Sequence, residues 1–229
     1  CDGVGDITAN KLISFCGSAR EVFKEKKQHL STIPGIPVKI FDLLRTNIDW
    51  GIVEKEIKYI EKNHISYVSI VDREYPKNLL STEAPPLLLF FSGNIEKLNS
   101  LPCISIVGTR LATGYGLNAV QEIITGLKSS GACIISGLAH GIDIAAHKEA
   151  MNQSLPTFGI VAHGLRTMYP SAHSIYAQKM AEVGGGVITA FFSEEMPNRE
   201  NFPKRNKIIA GLSSATIIVE AAKKGGALI

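Results

Sequence analysis

"CISIVGTRLATGYG" (Cys103–Gly116) decides the fold. Its first six residues form a short apolar run rich in isoleucine and valine and closed by a glycine, the pattern of a buried strand. Hydroxyl and glycine residues then lead into a helix expected from about Gly116 to Ser130. The same cycle recurs downstream. "ACIISG" (132–137) precedes a helix from Ile142, "TFGIVA" (157–162) a helix through Ala172–Val183, and "GVITAF" (186–191) an arginine-rich segment with its own helix; "ATIIVEA" (215–221) closes the series. Strands apolar on both faces, each separated from the next by one helix, specify an α/β, doubly wound, mostly parallel sheet.

Upstream, "SYVSIV" (66–71) and "PLLLFFSG" (86–93) read as two further strands around a proline-rich turn, after an amphipathic helix at 52–64. Residues 1–47 differ: short helices broken by tight turns. "GVGDITANKLISFCG" (3–17) and "STIPGIPVKIFDLLRT" (31–46) each pair a glycine turn with apolar residues at helical spacing. Tandem helix-hairpin-helix elements, which hold a phosphate on turn amides, have this form. Pro37 has no amide to donate in the second turn. A helical module that packs and binds nothing fits equally. The expected division is a small all-helical N-terminal module at 1–47 and a sheet domain at 52–229.

The 229 residues suit that division. With 24 Lys and Arg against 21 Asp and Glu, the net charge is only +3, so a nucleic-acid footprint has to be a local patch. Cys1, Cys16, Cys103 and Cys133 form no CxxC pair, and the expectation is incidental thiols in a cytoplasmic protein without zinc or disulfides. No membrane span or signal segment is expected. The chain opens without Met and ends on "KKGGALI" (223–229), so both ends read as cut.

In such a sheet, ligands sit beyond the carboxyl ends of the strands, where helix N-termini offer free amides. Gly108, Thr109 and Arg110, followed by Gly114 and Gly116, leave the first strand of the series; Ser136 and Gly137 leave the second. Together they make a candidate anion cradle. The glycines miss GxGxxG, no acidic residue ends the second strand, and no GK[ST] follows a glycine loop, so dinucleotide and ATP sites are not indicated. Ser136 lacks a GxSxG elbow. His140, His147, His163 and His173 show no metal-ligand spacing. Glu220 is a lone candidate acid or base without a partner.

The stretch "NFPKRNKIIAG" (201–211) gathers positive charge. Arg199, Lys204, Arg205 and Lys207 lie within nine residues, opposed only by Glu200. Cations at a helix N-terminus are disfavoured unless an anion compensates. Phe202 could stack a base, as single-stranded nucleic acid requires, or pack into the core while the cations face solvent.

Five ordered motifs, "SIVGTRLATGYG", "SGLAHGIDIAAH", "AHGLRTMYP", "NFPKRNKIIAGLS" and "IIVEAAKKGGALI", closely resemble the DNA-processing protein A family, DprA or Smf. The likeness extends through "YPKNLLSTEAPPLLLFFSGN" to the opening residues. It implies an extended Rossmann-like domain that binds single-stranded DNA, dimerises, protects incoming DNA and loads a RecA-type recombinase in natural transformation, with no cofactor, no metal and no reaction of its own. By motif, Gly108, Thr109 and Arg110 would meet phosphate beside Ser136 and Gly137. Arg199, Lys204, Arg205, Asn206 and Lys207 would line the same groove, with Phe202 against a base. Three positions depart from the family pattern: Ala190 where Glu is usual, Arg166 where Asp is common, and Lys207 in place of the final arginine of Arg-Asn-Arg, which loses bidentate phosphate geometry. The alternative is a nucleotide-processing Rossmann enzyme of the phosphoribohydrolase type. "KKGGALI" lacks the Glu that those enzymes carry after their glycines.

Overall fold

The computed structural model describes residues 3–46, 48–222 and 226. Most of "KKGGALI", with Cys1 and Asp2, lies outside the described residues. Four helices open the chain, α1 (Asp6–Cys16), α2 (Ala19–Lys24), α3 (Lys27–Leu30) and α4 (Lys39–Thr46), followed by α5 (Trp50–Asn63). Then come β1 (Ser66–Ser69), α6 (Lys77–Leu80), β2 (Leu88–Gly93) and α7 (Lys97–Ser100). The alternating region holds β3 (Cys103–Gly108), α8 (Gly114–Leu127), β4 (Cys133–Ser136), α9 (Ile142–Asn152) and β5 (Thr157–Ile160). It continues through α10 (Ser174–Glu182), β6 (Gly186–Thr189), α11 (Asn201–Leu212) and β7 (Ala215–Val219).

Seven strands form one sheet in the order β1-β2-β6-β5-β4-β3-β7. The five from β6 to β7 are parallel, while β2 runs antiparallel to β6 and β1 antiparallel to β2. The fold is therefore α/β with a mostly parallel, doubly wound sheet. From β3 the chain winds outward through β4 and β5 to β6, then returns across α11 to place β7 on the other side of β3. That reversal makes the carboxyl ends of β3 and β7 the topological switch point, where this architecture opens a crevice.

Alternate residues of the buried strands face opposite layers. Ile106 and Ile134 pack with Val120 and Ile124 of α8 and Ile142 and Ala146 of α9. Ile135, Phe158, Ile160 and Ile188 pack on the other face with Ile208, Ile209 and Leu212 of α11 and Leu79 of α6. The Ser105 hydroxyl donates to the Ile209 carbonyl at 2.9 Å, so even a polar inward residue is satisfied. Helices α1 to α4 enclose a separate apolar cluster of Leu12, Val22, Leu30, Ile33, Ile36, Ile40, Phe41 and Leu44. Helix α5 is tied to the sheet by the buried Glu56, whose carboxylate accepts the Ser193 amide at 2.9 Å and hydroxyl at 2.6 Å.

Gly108 ends β3 at the switch point, and a Cβ there would lie 1.9 Å from the Val219 carbonyl oxygen and 2.6 Å from Ile142 Cγ1. Only a residue without a side chain lets β7 and α9 close on β3. Gly108→Ala is therefore expected to lower stability by ~1–3 kcal/mol through overpacking. Gly126→Ala, within α8 where a Cβ meets nothing within 4 Å, is expected to raise it by roughly 0.5–1 kcal/mol. Chemical denaturation of the two variants measures both, and equal effects would contradict the packing described.

Candidate nucleic-acid interface

At the switch point lies a crevice of ≈ 490 Å³. Gly108, Thr109, Arg110 and Leu111 form one wall, Phe202, Arg205, Asn206, Ile209 and Ala210 of α11 another, and Asp143, Thr216, Ala221 and Ala222 complete it. Arg110, Ala139, Phe202 and Arg205 also line an adjoining chamber of ≈ 30 Å³ bounded by Gly137, His140, His163, Tyr169 and Pro170. The Arg110 guanidinium carbon is 5.1 Å from the Phe202 ring centre and that of Arg205 is 5.6 Å away. Both distances suit cation–π contact. Residues from the end of β3 and from α11, nearly a hundred positions apart, thus meet around one aromatic ring.

The two arginines have different duties. Arg110 is exposed. Arg205 is 5% exposed, and its Nη1 donates to the carbonyls of Gly137 at 2.5 Å and Ile160 at 2.8 Å, joining the ends of β4 and β5 to α11. Its position follows from helical spacing: Asn201, Arg205, Ile208, Ile209 and Leu212 are the buried residues of α11. Burial lowers its pKa, with Asp143 opposing that shift and Arg110 adding to it. Asp143 is buried beside it, and burial raises its carboxyl above the ordinary range against the pull of Arg205. Gly137 lies between the two. A Cβ there would be 2.2 Å from Arg205 Nη1 and 2.5 Å from Asp143 Oδ2, which requires glycine.

The strand-end amides are not the open cradle expected from sequence. The Thr109 amide donates to the Glu220 carbonyl at 2.8 Å, and the Thr109 carbonyl accepts from Ile142 at the start of α9 at 3.1 Å. Glu220 follows β7 and turns its carboxylate onto the start of α8. There Oε2 accepts the Thr113 amide at 2.9 Å and Oε1 accepts the Thr113 hydroxyl. The same hydroxyl accepts from the Gly116 amide at 3.2 Å. Gly116 lets the carboxylate sit this close, since a Cβ would lie 2.2 Å from Glu220 Oε2 and the side chain would have to shift. At the helix terminus that cradles pyrophosphate in dinucleotide-binding sheets, the Thr113 and Gly116 amides are taken up internally and a carboxylate stands beside them. Glu220 is therefore a helix-capping group rather than a free acid or base.

Other residues singled out from the sequence fall around this centre. Ser136 is buried, and its hydroxyl donates to the Ile106 carbonyl at 2.6 Å, behind the crevice wall. Arg199, Lys204 and Lys207 are exposed and stand outside the wall. Helix α11 begins at Asn201, whose amide donates to Asn198 Oδ1 at 2.9 Å, so Lys204, Arg205 and Lys207 lie within the helix rather than ahead of it. Lys204 faces α1, where its charge opposes the upward shift that burial gives the Asp6 carboxyl. Arg166 pairs with Glu194 at 2.6 Å, and Ala190 packs against the apolar cluster of β5 and α11.

The histidines are structural in their contacts. His163 Nε2 accepts the Tyr169 amide at 3.2 Å and its Nδ1 donates to the Gly164 carbonyl at 2.8 Å. His173 Nδ1 donates to the Leu138 carbonyl at 2.8 Å. Burial drives the His147 pKa down to about 3, with the charges of His173 and Arg205 adding to the shift, so it stays neutral. Among the described residues, no cluster of three metal-ligating side chains exists and no helix is long and apolar enough to cross a membrane.

Known proteins share the sequence pattern and the fold. The family model described as DNA recombination-mediator protein A matches residues 66–229. Protein Smf of Synechocystis sp. is 31% identical over 99% of this chain and 58% of its own length. DNA processing protein DprA of Streptococcus pneumoniae is 36% identical over 70% of this chain and 56% of its own. The chain spans about half the length of the curated relatives it matches. The X-ray structure of DprA from S. pneumoniae superposes with a TM-score of 0.81 at 29% identity, over 99% of this chain and 77% of that one. A second structure, which concerns the single-stranded DNA binding mode of DprA from Helicobacter pylori, gives 0.61 at 26% identity over 72% of this chain and 73% of that one. The chain belongs to the DNA recombination-mediator protein A family.

Two expectations follow from the geometry. Arg205→Ala leaves two carbonyls and Asp143 buried without their partner and is expected to cost ~3–5 kcal/mol, whereas Arg110→Ala, at an exposed neighbour, is expected to cost under about 1 kcal/mol. Urea unfolding separates them, and equal losses would contradict the assigned roles. Hydrogen bonds from Thr113 hold the Glu220 pKa below its ordinary value. A depressed carboxyl stabilises the fold above its unfolded-state value and loses that contribution as pH falls through the folded-state value. The melting temperature of Glu220→Gln should therefore approach that of the unaltered chain as pH drops below the glutamate range. A gap independent of pH would refute the capping role.

Proposed function

We propose that this family member binds single-stranded DNA in the crevice around Phe202, shields the strand, and passes it to a RecA-type recombinase during natural transformation, without a reaction of its own. A homodimeric, cytoplasmic protein belongs to the same reading, as the family resemblance implies. The observation that carries it is the aromatic ring of Phe202 flanked by two guanidinium groups at the switch point.

An unpaired base has an exposed π-face, and stacking on an aromatic side chain contributes ~1–3 kcal/mol per base. In the free protein Arg110 lies over the ring. A base entering the crevice takes that place, and the released guanidinium turns to the adjoining phosphate, where its fork pairs with two oxygens. Arg205 holds the ring's other surroundings and stays fixed to Gly137 and Ile160. Asn206 presents an amide on the crevice wall. Arg199 and Lys207 supply exposed charge near the crevice, and Lys204 supplies it on the side of α11 toward α1. Gly108, Thr109, Ser136 and Gly137 act through shape, by letting backbone and side chains close around the arginines.

The phosphoribohydrolase alternative is weakened by the carboxylate that closes α8. Release of adenine from AMP by the purified chain would reinstate it.

The reading is tested by titrating labelled oligo-dT at several salt concentrations. Affinity should fall with salt by about −0.7 log units per neutralised phosphate. Arg110→Ala should weaken binding and flatten that slope by roughly one phosphate, while Phe202→Ala should weaken it about 5- to 100-fold with the slope retained. Arg205→Ala is unsuitable as a binding probe because it disturbs the fold. Equal binding by the unaltered chain and both variants would overturn the assignment.

A further inference from the structure

The helical module carries a second surface of the same chemistry, apart from the crevice. On α2, Arg20, Phe23 and Lys24 stand three and four positions apart and so share one side of the helix. Opposite them, Arg45 at the end of α4 and Trp50 at the start of α5 complete an open groove of ≈ 650 Å³. Its floor includes Leu44 of the module core.

The aromatics in this groove are not needed for packing. The module encloses its own apolar cluster, with Val22 as the buried residue of α2, whereas Phe23 is 48% and Trp50 62% exposed. The charge is also largely uncommitted. Arg45 donates to the neutral Glu25 carbonyl at 2.9 Å. Lys24 pairs with Glu21 at 2.8 Å, but both side chains are more than half exposed, and such pairs contribute little. Nearby Asp49 is used in capping α5, and Glu25 pairs with His29.

We infer that this groove is a second contact site for single-stranded nucleic acid, with Phe23 and Trp50 stacking bases and Arg20, Lys24 and Arg45 meeting phosphates. Interleaved cations and exposed aromatic faces in an open groove suit unstacked bases on a charged backbone. A duplex keeps its bases stacked and has no such faces to offer. An acidic peptide would use the cations and leave the aromatics exposed. Helix-hairpin-helix binding through the turns at Gly3–Gly5 and Pro34–Pro37 is a different mode, and this groove involves neither turn.

The chain contains one tryptophan, so its emission reports on this groove alone. The test adds short oligo-dT to the full chain at low salt and follows Trp50 fluorescence beside total binding. Saturable quenching is expected, with half-saturation shifted on the order of tenfold by Phe23→Ala and by the Arg20→Ala, Arg45→Ala double variant. Phe202→Ala should leave the quenching in place. If crevice variants leave total binding unchanged while the module variants abolish it, the crevice reading fails and this one stands. Absence of quenching in a chain that binds oligo-dT would overturn this inference alone. So would quenching that disappears with Phe202→Ala, or that duplex DNA or polyglutamate produces equally well.

Discussion

The guanidinium of Arg205 reaches from α11 across the ends of β4 and β5 and donates to the carbonyls of Gly137 and Ile160. These carbonyls lie at the ends of β4 and β5, where the chain leaves the sheet. The arginine completes them, places α11 over the switch point and sets Phe202 at the mouth of the crevice. Asp143 on the opposite side of Gly137 offsets the cost of burying the charge. Gly137 permits this approach and Gly108 permits β7 to close. The crevice is thus a consequence of how the sheet ends are sealed.

Sealing also decides which chemistry the crevice can offer. The Thr109 amide is used by the backbone of Glu220 and the Thr113 amide by its carboxylate, which sets a negative charge at the start of α8. What faces outward is a guanidinium and an aromatic ring. That pairing favours a ligand with exposed bases and repeated phosphates over a single nucleotide held by its pyrophosphate. On the proposed reading, a polymer would also meet the exposed charge of Arg199, Lys204 and Lys207 and that of the groove formed by α2, α4 and α5.

Much of this was legible in the sequence because parallel sheets write themselves as repeated local units. Each apolar strand, glycine turn and helix from Cys103 onward stands close to where its pattern predicts. The placement of β7 beside β3 is non-local and has no signature in a single strand. The same limit hid Glu220, whose partner Thr113 is 107 positions away. Arg205 carries two signals in the sequence: its charge points to a ligand, while its spacing with Ile208, Ile209 and Leu212 puts it on the buried stripe of α11. Helical period is the better guide there, since Lys204 and Lys207, off that stripe, are the residues left exposed.

The claim on which the account stands is that an unpaired base lies against Phe202. Photocrosslinking of oligonucleotides carrying 5-iodouracil to the full chain, followed by mass spectrometry of the adducts, addresses it directly. The account predicts a principal adduct on the peptide that holds Phe202, at any register of the modified base within the bound segment. Adducts confined to surfaces outside the crevice, with the Phe202 peptide unmodified, would contradict it.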